Sequence, residues 1–141
     1  MTRLKNNLKW KYNRVLIIDD NDLDNFINQK ILESSLFAKN IYINTSGTSA
    51  LEFLRNMNTV GKELPDKVFP EVIFVDINMP LMDGFQFINN LLKLEIESLK
   101  NSKIVILTTS LNPSDRVKAQ EISDDILFMN KPLTENVLDQ I

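Results

Sequence analysis

The chain has 141 residues, the length of one average domain, and its 43% hydrophobic and 25% charged residues are typical of a folded soluble protein. The absence of cysteine and histidine excludes disulfides, zinc sites built from these residues and histidine-based acid–base catalysis. The net charge of -3 argues against direct nucleic-acid binding, and no apolar run reaches the roughly 18 residues that cross a bilayer. We therefore expect a cytoplasmic protein with no membrane segment.

A basic lead-in opens the chain. Residues 1–13 carry four of the 16 basic residues and none of the 19 acidic ones. Solvated tails and short packing arms are common at chain ends, so we do not expect this lead-in to bind lipid or nucleic acid. The sequence predicts two regions, the lead-in over residues 1–13 and one domain over residues 14–141.

Apolar runs and helical patterns alternate five times along this domain. Short apolar runs predict strands at 15–18, 41–45, 72–75, 104–107 and 126–128, and the polar residues of the second run indicate a sheet edge. Apolar residues at helical spacing, with caps and turns, predict helices over 23 to about 38, around 50–54, from 83–84 onward, over 112–121, and from 134 to residue 141.

This alternation predicts an α/β fold, a doubly wound five-stranded parallel sheet with helices on both faces. In the flavodoxin-like strand order 2-1-3-4-5, the crevice opens between strands 1 and 3 at their carboxyl ends. These are the two strands that end in carboxylates, so we expect the functional site there.

Three carboxylates are predicted to converge in this crevice. Asp19 and Asp20 follow the first strand, and Asp76 follows the third. Such a cluster is strongly repulsive unless it is protonated or holds a cation, and oxygen ligands favour Mg²⁺, with Mn²⁺ as a substitute. The alternative interpretation is that these residues only cap the helices that follow.

A hydroxyl and an ammonium group belong to the same edge of the sheet. Thr108 and Thr109 are both candidates and only the strand register decides between them, but we choose Thr108 because it directly follows the fourth apolar run. Lys131 lies three residues beyond Phe128 in the fifth strand. Together with a divalent cation, Thr108 and Lys131 could offset the charge of a phosphoryl group on Asp76. Taken singly, each has the simpler interpretation of a strand-end hydroxyl or a surface cation.

These motifs resemble the receiver domain of two-component response regulators, including the stand-alone chemotaxis receivers. The matching segments are IIDD at 17–20, VDINMPLMDG at 75–84, ILTTS at 106–110 and NKP at 130–132. They occur in the order and approximate spacing that the family requires, over nearly all of the chain after residue 13.

The resemblance implies a phosphoacceptor and a metal site. Asp76 would accept a phosphoryl group from a phosphohistidine on a sensor histidine kinase or a histidine phosphotransfer protein. Asp20 would bind Mg²⁺ directly, Asp19 directly or through water, and Asn78 would offer its backbone carbonyl beside Asp76.

The resemblance also implies a switch. Thr108 would move toward the phosphoryl group, and Lys131 would pair with the acceptor carboxylate or its phosphate, with a cis peptide bond between Lys131 and Pro132. Phe128 matches an aromatic residue whose rotamer follows activation, although a core aromatic is an equally good interpretation.

The expected output is a surface change or a phosphorelay toward an unidentified downstream protein, and not catalysis on a small molecule. An aspartyl phosphatase would need a second aspartate two residues after the acceptor, where this chain has Asn78. A flavin-binding protein would need a phosphate-binding loop after strand 1, where this chain has acidic residues. A receiver that works without phosphorylation would be expected to lack the acceptor, the acidic pair or the lysine.

Overall fold

Five parallel strands form one sheet in the computed structural model, which describes residues 9–63 and 68–141. The sheet order is β2-β1-β3-β4-β5, with strands at Tyr12–Ile18 (β1), Ala38–Asn44 (β2), Val72–Val75 (β3), Lys103–Thr108 (β4) and Leu127–Asn130 (β5). The predicted fold class, the strand order and the position of the second strand at an edge are confirmed.

Five α-helices alternate with these strands, at Asp22–Ser34 (α1), Gly47–Gly61 (α2), Gly84–Lys93 (α3), Pro113–Ile122 (α4) and Glu135–Leu138 (α5). A short 3₁₀ helix, Glu97–Asn101, precedes β4. A polar side chain before each α-helix accepts a hydrogen bond from a backbone N–H of the first turn, at Asn21, Ser46, Asp83, Asn112 and Thr134. Within the described ranges, every helix is too short or too polar to cross a bilayer.

Several element boundaries differ from the predicted ones. β1 begins at Tyr12. The ring centre of Tyr12 lies 5.1 Å from that of Phe37, and its hydroxyl donates to the carbonyl of Ile141. Residues 12 and 13 of the predicted lead-in therefore belong to the sheet, while residues 1–8 of the lead-in lie outside the described residues. The first helix ends at Ser34, because Leu36 takes a left-handed φ of 55° and turns the chain into β2 at Ala38.

The last strand is also displaced from its predicted position. β5 covers Leu127–Asn130 and not 126–128, and all four of its residues are only half-buried. It is followed by α5, which has a single turn. This edge strand extends past its apolar residues to the polar Asn130, so the apolar run alone misplaces its two ends by one or two residues.

Successive residues of the central strands point into two separate apolar cores. Leu16, Ile18, Ile73 and Val75 lie in one core together with residues of α2, α3 and α4. The alternate residues of the same strands face a second core with α1 and α5. Each fully buried side chain stabilises the fold by about 1.5–3 kcal/mol, so burial on both faces holds the ends of β1 and β3 firmly in place.

Candidate functional site

The carboxylates of Asp19, Asp20 and Asp76 meet at the carboxyl edge of the sheet, as the sequence predicts. The N–H of Asp76 donates to the carbonyl of Ile18 at 3.0 Å, and the N–H of Asp19 donates to that of Asn44 at 3.2 Å. These bonds continue the strand pairing past the strand ends. One carboxylate oxygen of each of the three aspartates lies within 4.8 Å of the other two.

This carboxylate cluster fits a hard divalent cation. Asp19 and Asp76 are buried, with 2% and 9% of the whole residue exposed, whereas Asp20 is exposed and leaves the cluster open to solvent on one side. Buried like charges at this spacing repel one another, and oxygen donors with an open side are the surroundings in which Mg²⁺ keeps part of its water shell. The donor set therefore supports the predicted magnesium site.

Lys131 joins the cluster from the end of β5. Its N–H donates to the carbonyl of Thr108 at 2.8 Å, and the Lys131–Pro132 peptide bond is cis. Its ammonium Nζ lies 2.6 Å from Asp19 Oδ2, 2.9 Å from Asp24 Oδ2 and 3.6 Å from Asp76 Oδ2. The expected pairing with the acceptor carboxylate is thus the longest of three contacts.

Asp24 is a site residue that the sequence reasoning missed. It lies in the first turn of α1, and its N–H donates to the side chain of the capping Asn21 at 3.0 Å. The run DDNDLD contains four carboxylates, and only the start of α1 at Asp22 decides which of them turns back toward the strand ends. The capping residue Asn21 is the signal that could have identified Asp24, because Asp24 is the third residue after this cap.

Asn25 forms a buried hydrogen bond to the backbone of the acidic pair. Its buried amide donates to the backbone carbonyl of Asp19 at 2.8 Å. The sequence pattern gave no indication of this contact, because a polar residue on the inner face of α1 departs from the apolar period.

The strand register selects Thr108 over Thr109. Thr108 is the last residue of β4 and is fully buried, whereas Thr109 is exposed. The amide of Asn130 donates to the carbonyls of Thr108 and Ser110 at 3.3 and 2.7 Å, and the Ser110 N–H donates to the Thr108 hydroxyl at 3.2 Å. The loop after β4 is therefore fastened to β5 next to Lys131.

The surroundings of Asp76 shift the pKa of its carboxyl in opposite directions. Burial raises the pKa of this carboxyl most, the Lys131 charge lowers it, and the Asp19 charge raises it. Hydrogen bonds from the Asn78 backbone and the Thr108 side chain lower it further, but the net pKa is raised. A proton is therefore held more tightly at Asp76 than at an ordinary aspartate in the absence of a metal.

The pKa of Lys131 is raised as well. Burial by itself would lower it, but hydrogen bonds to Asp19 and Asp24 and the charge of Asp76 outweigh that effect. The ammonium is therefore a permanent positive charge at neutral pH.

The remaining predicted residues lie on either side of this cluster. Asn78 is exposed in the loop directly after Asp76. Phe128 is half-buried in β5, packs against the core below α2–α4, and carries the Arg116 guanidinium 4.7 Å from its ring centre. Its position fits a core aromatic, and a role in switching stays a prediction.

Comparison with known proteins finds similarity to response regulators and receiver domains. The family model described as the response regulator receiver domain matches residues 15–141. A solved two-component response regulator from Cytophaga hutchinsonii is 35% identical, with a TM-score of 0.78 and coverage of 94% of both chains. The receiver domain of the histidine kinase CKI1 from Arabidopsis thaliana, solved with Mg²⁺ and BeF₃⁻, is 23% identical, with a TM-score of 0.74 and coverage of 91% of this chain and 88% of that one.

Curated relatives include much longer proteins. Hybrid signal transduction histidine kinase C from Dictyostelium discoideum is 33% identical over 132 residues. The match covers 91% of this chain and 10% of that kinase. The chain therefore spans only a small part of the length of this relative.

Proposed function

The chain belongs to the response regulator receiver domain family of two-component signalling, and from this premise we propose that it accepts a phosphoryl group on Asp76. The donor is a phosphohistidine of a sensor histidine kinase or a histidine phosphotransfer protein. The observation that carries the proposal is the position of Asp76, whose buried carboxylate has Asp19, Thr108 and Lys131 around it.

In the proposed reaction, a carboxylate oxygen of Asp76 attacks phosphorus in line with the nitrogen of the phosphohistidine. The new Oδ–P bond replaces the P–N bond, and the histidine leaves with its electron pair and takes up a proton. Asp19, Asp20, Asp76 and the backbone carbonyl of Asn78 would hold Mg²⁺, or Mn²⁺ in its place, and the ion would supply positive charge to neutralise the phosphoryl oxygens.

Two groups of the chain itself complete the charge balance. The Lys131 ammonium, 3.6 Å from Asp76 in this structure, offsets one negative charge of the phosphoryl group. The Thr108 hydroxyl donates to another phosphoryl oxygen, and its oxygen can still accept the hydrogen bond from the Ser110 N–H. Movement of the loop after β4, with a rotamer change of Phe128, would carry the signal to the surface or prepare onward phosphotransfer.

The proposed role is that of a phosphoacceptor and not that of a small-molecule enzyme. Asn78 occupies the position where an aspartyl phosphatase would need its acid–base carboxylate. An amide cannot exchange a proton with the leaving group at neutral pH, so turnover of a phosphate ester is not expected.

Intact mass after incubation with a small-molecule phosphodonor tests the proposal. We expect one phosphoryl adduct that depends on Mg²⁺ and is lost in Asp76→Ala. The exposed Asp22→Ala, on the first turn of α1, serves as the matched control and should be labelled like the wild type. A full-rate adduct in Asp76→Ala, or none in the folded wild type under any condition, would contradict the assignment.

A further inference from the structure

Lys131 is shared between the phosphoacceptor cluster and a carboxylate outside it, and we propose that Asp24 is a positioning residue that holds Lys131 back from the phosphorylated acceptor. This inference rests on the proposed function. It assigns to Asp24 the control of how readily Lys131 engages a phosphoryl group on Asp76.

The distances support this assignment. The Lys131 side chain is only 9% exposed, and its ammonium makes its two short contacts with Asp19 at 2.6 Å and Asp24 at 2.9 Å. The contact with Asp76 is longer, at 3.6 Å. Charge-assisted hydrogen bonds are about 2.7–2.9 Å long, so Asp24 forms such a bond to Lys131 and Asp76 does not.

Asp24 differs from the other two carboxylates in its surroundings. Its side chain is 35% exposed, compared with 3% for Asp19 and 11% for Asp76. It also lies outside the cluster of carboxylate oxygens that could hold a metal ion. Water can solvate Asp24 when the ammonium leaves, so the bond can break without leaving a buried charge unpaired.

The backbone keeps Asp24 in this position. Its own N–H is bound to the side chain of Asn21, and the amino end of α1 favours a negative charge in the first turn. The Asp24–Lys131 bond therefore links α1 to the end of β5 across the site. Asp24 is a fixed acceptor that competes with a phosphoryl group for one ammonium.

This competition predicts the direction in which Asp24→Asn changes the affinity for a phosphoryl mimic. A phosphoryl group on Asp76 adds negative charge next to Lys131, and Lys131 must then shorten its contact on that side at the expense of its bond to Asp24. Replacing the carboxylate with an amide by Asp24→Asn removes the competitor and leaves the side-chain shape almost unchanged. We expect the variant to bind a phosphoryl mimic more tightly.

The test is calorimetric titration of beryllium trifluoride into the full chain at saturating Mg²⁺. Asp24→Asn should raise the affinity about three- to fivefold, the upper part of the range for a partly exposed ion pair. Asp24→Glu keeps the carboxylate and should stay within about twofold of the wild type. Asp22→Asn removes the same charge from the same helical turn, where it is exposed, and should change the affinity less than twofold.

A second pair of variants shows whether Asp24 acts through Lys131. In a Lys131→Met background, Asp24→Asn should no longer change the affinity for the mimic, because the residue that it positions is gone. An equal gain with and without Lys131, or an equal gain in Asp22→Asn, would overturn the positioning role and leave the proposed function intact. A wild type that binds no mimic and forms no adduct on Asp76 would overturn both.

Discussion

At the scale of single residues, the proposed phosphoacceptor Asp76 lies in surroundings that disfavour its charged form. Burial and the neighbouring Asp19 raise its pKa above the ordinary value of 3.8, despite Lys131. The native state thus binds this proton more tightly than the unfolded chain does. Stability therefore falls as the pH rises from about 3.8 through the native pKa, and stays reduced at neutral pH.

Asp76→Asn should consequently stabilise the protein at neutral pH when no divalent cation is present. Removing the disfavoured charge should raise the Tm by roughly 2–4 °C, which corresponds to about 1 kcal/mol for a domain of this size. The gain should disappear near pH 3.5, where the acceptor is largely protonated. Thermal unfolding in chelator at both pH values measures it.

An exposed carboxylate provides the control for this experiment. Asp124→Asn changes the same charge at a solvated position before β5 and should leave the Tm within about 1 °C. A lower Tm for Asp76→Asn than for the wild type at pH 7 would contradict the expected direction of the change. The expected result would show that the buried charge of Asp76 costs stability in the absence of metal.

At the scale of elements, the start of α3 is packed against the strand end that carries the acceptor. Asp83 and Gln86 bond reciprocally to each other's backbone and fix the first turn of α3. A Cβ added at Gly84, the first residue of this helix, would lie 2.5 Å from the carbonyl oxygen of Asp76 and 2.9 Å from the Cα of Ile77. Only glycine lets the helix approach the chain after β3 this closely.

Gly84→Ala should therefore destabilise the fold by about 1–3 kcal/mol, because the new methyl group meets backbone that cannot move aside cheaply. It should also slow the labelling of Asp76, since any relief shifts the end of β3. Urea unfolding and intact mass measure the two effects.

Gly61 at the end of α2 is the matched position for comparison. Its nearest heavy atom to an added Cβ is 3.7 Å away, so Gly61→Ala meets only ordinary contact and should be neutral or stabilising by up to about 1 kcal/mol. Equal stability of the two alanine variants would show that the close approach at Gly84 has no energetic consequence.

At the scale of the whole molecule, the sequence was sufficient wherever one local signal determined one structural outcome. Continuous apolar runs such as 15–18 and 72–75 predicted strands buried on both faces, and the parallel topology then brought Asp19 and Asp76 together. Asn112 and Pro113 likewise predicted the start of α4.

The predictions from sequence fail where the assembled fold, and not a local pattern, determines the structure. Leu36 ends the turn after α1 in a left-handed conformation that no glycine indicates, and β2 begins earlier than its apolar residues suggest. The bond between Asp24 and Lys131 joins residues that are 107 positions apart, and neither residue has a local feature that identifies the other. Such contacts follow from the assembled fold and not from a pattern in either segment.

The half-buried β5 and the single turn of α5 have a consequence for how the native state opens. Lys131 lies between these two elements, which bury less of their surface than β1 and β3 do. Local unfolding costs least where few apolar contacts are lost, so this edge should open more often than the centre of the sheet. We expect amide hydrogens of Leu127–Asn130 to exchange faster than those of Val15 to Ile18 in native-state hydrogen exchange. Their exchange should slow when beryllium trifluoride, bound together with Mg²⁺, engages Lys131. Uniform protection of both strands would contradict this, and the ligand would then bind an edge that is already as rigid as the core.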